Sequence, residues 1–131
     1  HLQCLKALRV RRHIRRNLLS PELTPKAIAD RFQLSRTQLY RYFEAEGGVA
    51  AHIRNLRLER AFAALADARW GHQSIQAIAE EHGFSCEPHF SRLFRRTFGV
   101  TPSQARRAEA ALPTDPSSGW PTLQSWLGRL T

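Results

Sequence analysis

The apolar positions of this chain recur at steps of three and four, the spacing that gathers them on one side of a helix. Ala7, Val10, Ile14 and Leu18 mark an opening helix that packs on the first of two helix pairs. Leu39 with Phe43, and Phe90 with Phe94, form i,i+4 pairs on shorter helices. Residues 49 to 68 carry the longest unbroken pattern, with Ile53, Ala61 and Leu65 on one side and arginines at 54, 57 and 60. No Pro or Gly falls between Val49 and Trp70, so a helix of some nineteen residues, about 28 Å long, is expected there.

The chain also repeats itself. A shift of 50 residues, becoming 51 after Ser85, sets Ala27-Ile28-Ala29 on Ala77-Ile78-Ala79 and Ser35 on Ser85. It also sets Arg41 on Arg92, Phe43 on Phe94, and Gly48-Val49 on Gly99-Val100. Each copy reads as a short helix, a tight turn and a second helix. In the first copy Thr24 caps a helix that begins with Pro25, whose missing N–H costs nothing at that position. Ser35 and Gln38 have the spacing of a capping box, which fixes the start of the second helix.

In the second copy the expected caps are Ser74 and Ser85, with Gly83 supplying a positive φ at the turn. Pro88 falls in the first helical turn, where proline is tolerated. The Ala-Ile-Ala triad is expected to let the two helices of each pair lie close, and Thr101 to Gln104 opens a closing helix with the same capping chemistry. The expected fold is all-α, with about seven helices: two helix-turn-helix subdomains joined by a long linker helix. Residues 1–48 form the first subdomain, 49–70 the linker, 71–108 the second subdomain and 109–131 a tail. From Pro113 the tail reads as a linker followed by an amphipathic segment carrying Trp120, Trp126 and Leu127; docking back on the domain is the plainer reading of it, and a partner-helix or dimer contact the sharper one.

Charge narrows the partner. The 131 residues hold 20 Lys and Arg against 11 Asp and Glu, a formal net charge of +9. Such a surface suits a polyanion, either nucleic acid or an anionic membrane. Eighteen of the twenty cations are arginine, whose planar fork matches phosphates and guanine edges, and that favours nucleic acid. No apolar run approaches the length of a membrane span and no signal peptide opens the chain, so the expected location is the cytoplasm, with the nucleoid. Cys4 and Cys86 lie far apart without zinc-ligand spacing and are expected as free thiols. No metal or cofactor is expected. The chain starts at His1 rather than Met, as a fragment of a longer protein would.

The second copy holds the most specific pattern: Ile78-Ala79, Gly83-Phe84-Ser85, His89-Phe90-Ser91-Arg92 with Phe94, then Phe98-Gly99-Val100-Thr101-Pro102. The first copy carries it more loosely, through Ile28-Ala29, Ser35, Leu39, Arg41, Phe43 and Gly48. In this order and spacing the chain resembles, over roughly residues 5 to 108, the DNA-binding domain of the AraC/XylS family of bacterial transcription regulators. The resemblance implies seven helices, and two recognition helices entering neighbouring major grooves on one face of double-stranded DNA. It also implies a separate sensor or dimerisation domain in the same polypeptide, usually N-terminal. Neighbouring grooves lie about 34 Å apart, slightly more than the linker helix, and a modest DNA bend closes the difference.

Carried over position by position, the base-reading candidates are Arg36, Thr37, Tyr40 and Arg41 in the first unit and Glu87, Pro88, His89, Ser91 and Arg92 in the second. Arg41 and Arg92 are placed to read guanine through O6 and N7. Tyr40 and Pro88 suit packing against thymine methyls or sugars. Ser35, Ser85 and Thr101, with Arg95 and Arg96, are candidate phosphate contacts.

Plainer readings compete with these. The arginines at 9, 11, 12, 15 and 16 read as a solvated face rather than a DNA-facing ridge. Arg57, set among apolar positions, reads as an anchor paired with a nearby acid. Phe43, Phe90, Phe94 and Phe98 read as core aromatics. An enzyme reading would rest on Cys86 and His89, one helical turn apart, and nothing completes such a site. A third reading is an interaction module that binds an acidic protein or RNA polymerase; regulators often do both.

Overall fold

The structure, a computed structural model, describes residues 2–111, and the side chains of residues 4–107. The described chain is all-helical: α1 (Leu2–Arg16), α2 (Pro25–Phe32), α3 (Arg36–Tyr42), α4 (Val49–Ala66), α5 (Ile75–Glu81), α6 (Glu87–Phe98) and α7 (Pro102–Ala111). Trp120, Trp126 and Leu127 lie outside the described residues. The chain divides into two compact units, one up to Arg57 and one from Leu58, each with its own apolar core.

In the first unit the stripe on α1 buries Val10 and Ile14, and Leu18 and Leu23 join them from the loop. Against them lie Ile28 and Ala29 of α2, Leu39 of α3, Phe43, and Val49, Ile53 and Leu56 from the first part of α4. The caps that open these helices are those read from the sequence. Thr24 accepts from the Ala27 N–H, and Ser35 and Gln38 form the full reciprocal box.

Arg57 is an anchor, but its partner differs from the expected acid. Its Nε donates to the Leu18 carbonyl at 2.8 Å and its Nη2 to the Ser20 carbonyl at 3.2 Å. Both carbonyls lie in the loop after α1, outside a helical ladder; Ser20 O also accepts from the Leu23 N–H at 3.2 Å, and the guanidinium fork adds a donor to each. Burial pushes its pKa down from the usual arginine value, since no carboxylate offsets the desolvation.

The second unit is built on phenylalanine. Phe90, Phe94 and Phe98 of α6 are fully buried, with Phe84 beside them, against Leu58, Ala61 and Leu65 of α4, Ile78 and Ala79 of α5, and Ala105 of α7. Phe62 stacks on Phe94 with ring centres 5.6 Å apart, and Phe94 meets Phe98 at 4.7 Å. His82 is buried at the end of α5, its Nδ1 donating to the Ile78 carbonyl at 2.7 Å.

Two local expectations are corrected. Ser74 caps α5 through the Ala77 N–H, but α6 is capped by Cys86 rather than Ser85, without a side-chain bond to the helix. The extra residue after Ser85 moves the helix start onward by one, which leaves the serine in the turn. In the triads, Ile28-Ala29 and Ile78-Ala79 are buried while Ala27 and Ala77 face solvent, so two small or apolar residues make the close contact rather than three. At the end of α4, Asp67 accepts from the Arg69 N–H and opens a short 3-10 turn at Ala68–Trp70.

The two helix-turn-helix turns share one backbone solution. Leu34 donates to Ala29 O and Phe84 to Ala79 O, both at 2.9 Å, after a residue in the left-handed region. In the second unit that residue is Gly83, φ +90°; in the first it is Gln33, φ +54°. A Cβ in that region costs about 1–2 kcal/mol, so Gln33→Gly is expected to stabilise the protein by about 0.5–1 kcal/mol, read as a higher midpoint in urea denaturation. A lower midpoint would show that the glutamine side chain contributes more than the backbone strain costs.

Candidate nucleic-acid interface

A helix of seven residues has little stability of its own, and α3 is held by Leu39 from within and by Phe43 just beyond its end, both buried. Its other side is therefore bare. Ser35, Arg36, Thr37, Gln38, Tyr40 and Arg41 are all exposed. On α6 the buried side carries Phe90, Phe94 and Phe98, which leaves Glu87, Pro88, His89, Arg92, Arg95 and Arg96 exposed and Ser91 half-buried. Every base-reading candidate named from the sequence thus lies on α3 or α6. Of the phosphate candidates, Ser35 caps α3, Arg95 and Arg96 occupy the last turn of α6, and Ser85 lies exposed in the preceding turn.

Thr101 is half-buried and forms a capping box with Gln104: its N–H donates to Gln104 Oε1 at 2.9 Å and its Oγ1 accepts from the Gln104 N–H at 3.1 Å. In both this box and that of Ser35 the hydroxyl oxygen is engaged, while its own proton stays free to donate to an anion.

The arginines separate into two groups. Arg11, Arg57, Arg69 and Arg106 spend their donors on the chain: Arg69 on Asp67 at 2.8 Å, and Arg106 toward the Trp70 carbonyl at 3.5 Å. Arg36, Arg41, Arg92, Arg95 and Arg96 are exposed and show no ion pair or hydrogen bond from their guanidinium groups among the described residues.

Arg11 departs from the solvated face expected for its helix. Its guanidinium donates to Glu46 Oε1 at 2.9 Å and to the Tyr42 carbonyl at 3.1 Å, and it lies over the Phe43 ring, 4.7 Å from the centroid. It therefore ties α1 to the end of α3. The sequence signal was present only as an acid within a short segment after α3, which does not reveal a partner 35 residues away.

Two further residues shape the end of α3. Gly48 has φ +107°, and a Cβ there would stand 3.1 Å from Cε2 of Tyr40; the bare glycine is the floor on which the half-exposed Tyr40 ring rests. His52 is buried with its ring 4.7 Å from that of Phe43, and its Nε2 has no hydrogen-bond partner. Gly48 could have been found from its repetition at Gly99; His52 gave no such signal.

Two helix-turn-helix units, each burying one side of its second helix and presenting the other, on a chain with so large an arginine excess, are the architecture of a DNA-binding domain. The chain matches the helix-turn-helix domain family over residues 28–108. It is 39% identical over 88 residues to the HTH-type transcriptional activator RhaS of Escherichia fergusonii, covering 66% of this chain and 31% of that protein. It is 35% identical over 105 residues to the transcriptional activator NphR of a Rhodococcus species, covering 79% and 30%. Among solved structures it is similar to a transcriptional regulator with an AraC-type DNA-binding domain from Chromobacterium violaceum, with a TM-score of 0.72 and 31% identity, covering 82% of this chain and 95% of that one. The chain belongs to the AraC-type family of helix-turn-helix DNA-binding domains of transcription regulators. It spans about a third of the length of the curated relatives it matches. Among the described residues no helix is long and apolar enough to cross a membrane.

Burial is the main cause that holds the His52 pKa below its ordinary value; Arg11 and then Arg15 push the same way, and Glu46 opposes them. His13 is lowered too, by burial and then by Arg31. A lowered base stays neutral in the fold while the unfolded chain takes up its proton, so stability is intact above about pH 6.5 and falls as the pH drops below it. Melting temperatures measured from pH 8 to pH 5 should show this decline, and His52→Gln should flatten part of it, with His13 carrying the remainder. An unchanged slope in that variant would remove His52 from the account.

Proposed function

We propose that this domain recognises a specific double-stranded DNA sequence in the service of transcriptional regulation, with α3 and α6 as recognition helices in successive major grooves, as the DNA-binding part of a larger regulator. The observation that carries the reading is the pair Arg41 and Arg92. They occupy the same position of a repeated helix, both are exposed, and neither guanidinium has a partner among the described residues. A free arginine fork beside base edges matches O6 and N7 of guanine. The exposed Ser35 and the Arg95–Arg96 pair supply donors for phosphates on either side. The names of RhaS and NphR as transcriptional activators support a regulatory role.

In-vitro selection from random double-stranded DNA at physiological salt tests the proposal without a guess at the operator. Two short blocks of preference about one helical turn apart are expected. A single block would leave one unit as the reader. Binding without base preference, steeply weakened by salt, would favour an interaction module for an acidic partner or RNA polymerase.

Against the selected sequence, Arg41→Ala and Arg92→Ala are each expected to cost about 1–3 kcal/mol and to relax preference in separate blocks. Fluorescence anisotropy titrations read the loss. Parent-like binding by both variants would show that other residues read the DNA.

A further inference from the structure

The two reading helices can be aligned from their caps. With Cys86, not Ser85, as the cap of α6, Ser35 corresponds to Cys86, Arg36 to Glu87, Thr37 to Pro88 and Arg41 to Arg92, a constant shift of 51. The sixth position of each helix is then the same residue. At the first position the charge is reversed. Arg36 and Glu87 are both exposed, and neither side chain has a hydrogen bond or ion pair among the described residues. Glu46 and Asp67, by contrast, each hold an arginine.

From this reversal we propose that the two half-sites of the DNA differ at one base pair: relative to a guanine common to both, Arg36 selects guanine in one and Glu87 selects cytosine in the other. The inference rests on α3 and α6 being the recognition helices and adds the bases their opening side chains choose. An arginine fork donates to O6 and N7 of guanine; a carboxylate accepts from N4 of cytosine and is repelled by the two acceptors of guanine. The first and sixth positions are separated by about 7.5 Å along the helix axis, far enough for their side chains to reach different base pairs. The chosen pair is therefore distinct from that of the common guanine.

Electrostatics make Glu87 the informative member. The chain carries a net charge of +9, and an unpaired carboxylate facing phosphates subtracts from that attraction. An amino donor on a base is the group that offsets the cost. Glu87 also complements the dipole of α6, but that role is indifferent to base identity. Base preference therefore separates recognition from helix stabilisation.

The experiment is selection from random double-stranded DNA with the parent protein, Glu87→Arg, Glu87→Gln and Arg36→Glu, each confirmed as folded by thermal melting. The parent should yield two blocks that share a guanine and differ at another pair, as guanine in one and cytosine in the other. Glu87→Arg should convert the cytosine to guanine with a change in preference on the order of tenfold, the other positions being unaltered. Glu87→Gln should lose the cytosine, and Arg36→Glu should convert the other block to cytosine. If the parent gives two blocks and the variants select the same bases, differing only in overall affinity, the inference is overturned while the recognition helices stand. If the parent gives no two-block motif, the reading of the helices falls and takes the inference with it.

Discussion

The second helix of a helix-turn-helix unit must be gripped from one side and left untouched on the other, and in this protein the grip is aromatic. Phe43 serves α3, while Phe90, Phe94 and Phe98 run the length of α6, all of them fully buried. Fully burying one such side chain contributes about 1.5–3 kcal/mol, more than a short helix gains from its own hydrogen bonds. The polar set on the opposite side is a result of helical geometry, because a residue cannot share the stripe of its neighbours at steps of one or two. The polar exposed surface of α3 and α6 is thus a by-product of where the phenylalanines stand.

The arginine excess is divided by the same logic. Where loop carbonyls lie outside a helical ladder, as at Leu18 and Ser20, an arginine is drawn inward to supply donors. Where the backbone is already satisfied by the helix, nothing on the chain competes for the guanidinium and it stays exposed. Composition alone therefore overstates the charge free for DNA; Arg11 and Arg69 are already neutralised by Glu46 and Asp67.

Much of the fold was legible in the sequence because its signals are local. The Thr24, Ser35, Ser74 and Thr101 caps and the Phe90-to-Phe98 stripe each depend on residues within one or two turns. The candidate positions were legible through the repeat, which marks Arg41 and Arg92 as equivalent. What escaped was of two kinds. Contacts over long separations, such as Arg11 with Glu46 and Arg57 with the Leu18 carbonyl, leave no periodic trace. Single-residue geometry escaped as well. Gln33 adopts a left-handed backbone in the place where its counterpart is the expected glycine, because the turn geometry outweighs the residue's preference. The cap of α6 was misplaced by one because the insertion after Ser85 falls at the boundary itself.

That shifted cap leaves α3 and α6 unequally anchored. The Ser35 box closes the start of α3 with two reciprocal bonds. At α6 the Cys86 side chain makes none, and Pro88 only removes one of the donors that would need a partner. The opening amides of α6 therefore receive no side-chain bond, and its first turn is held instead by the fully buried Phe90. The start of α3 is fixed by polar bonds on its own surface, that of α6 by the core beneath it.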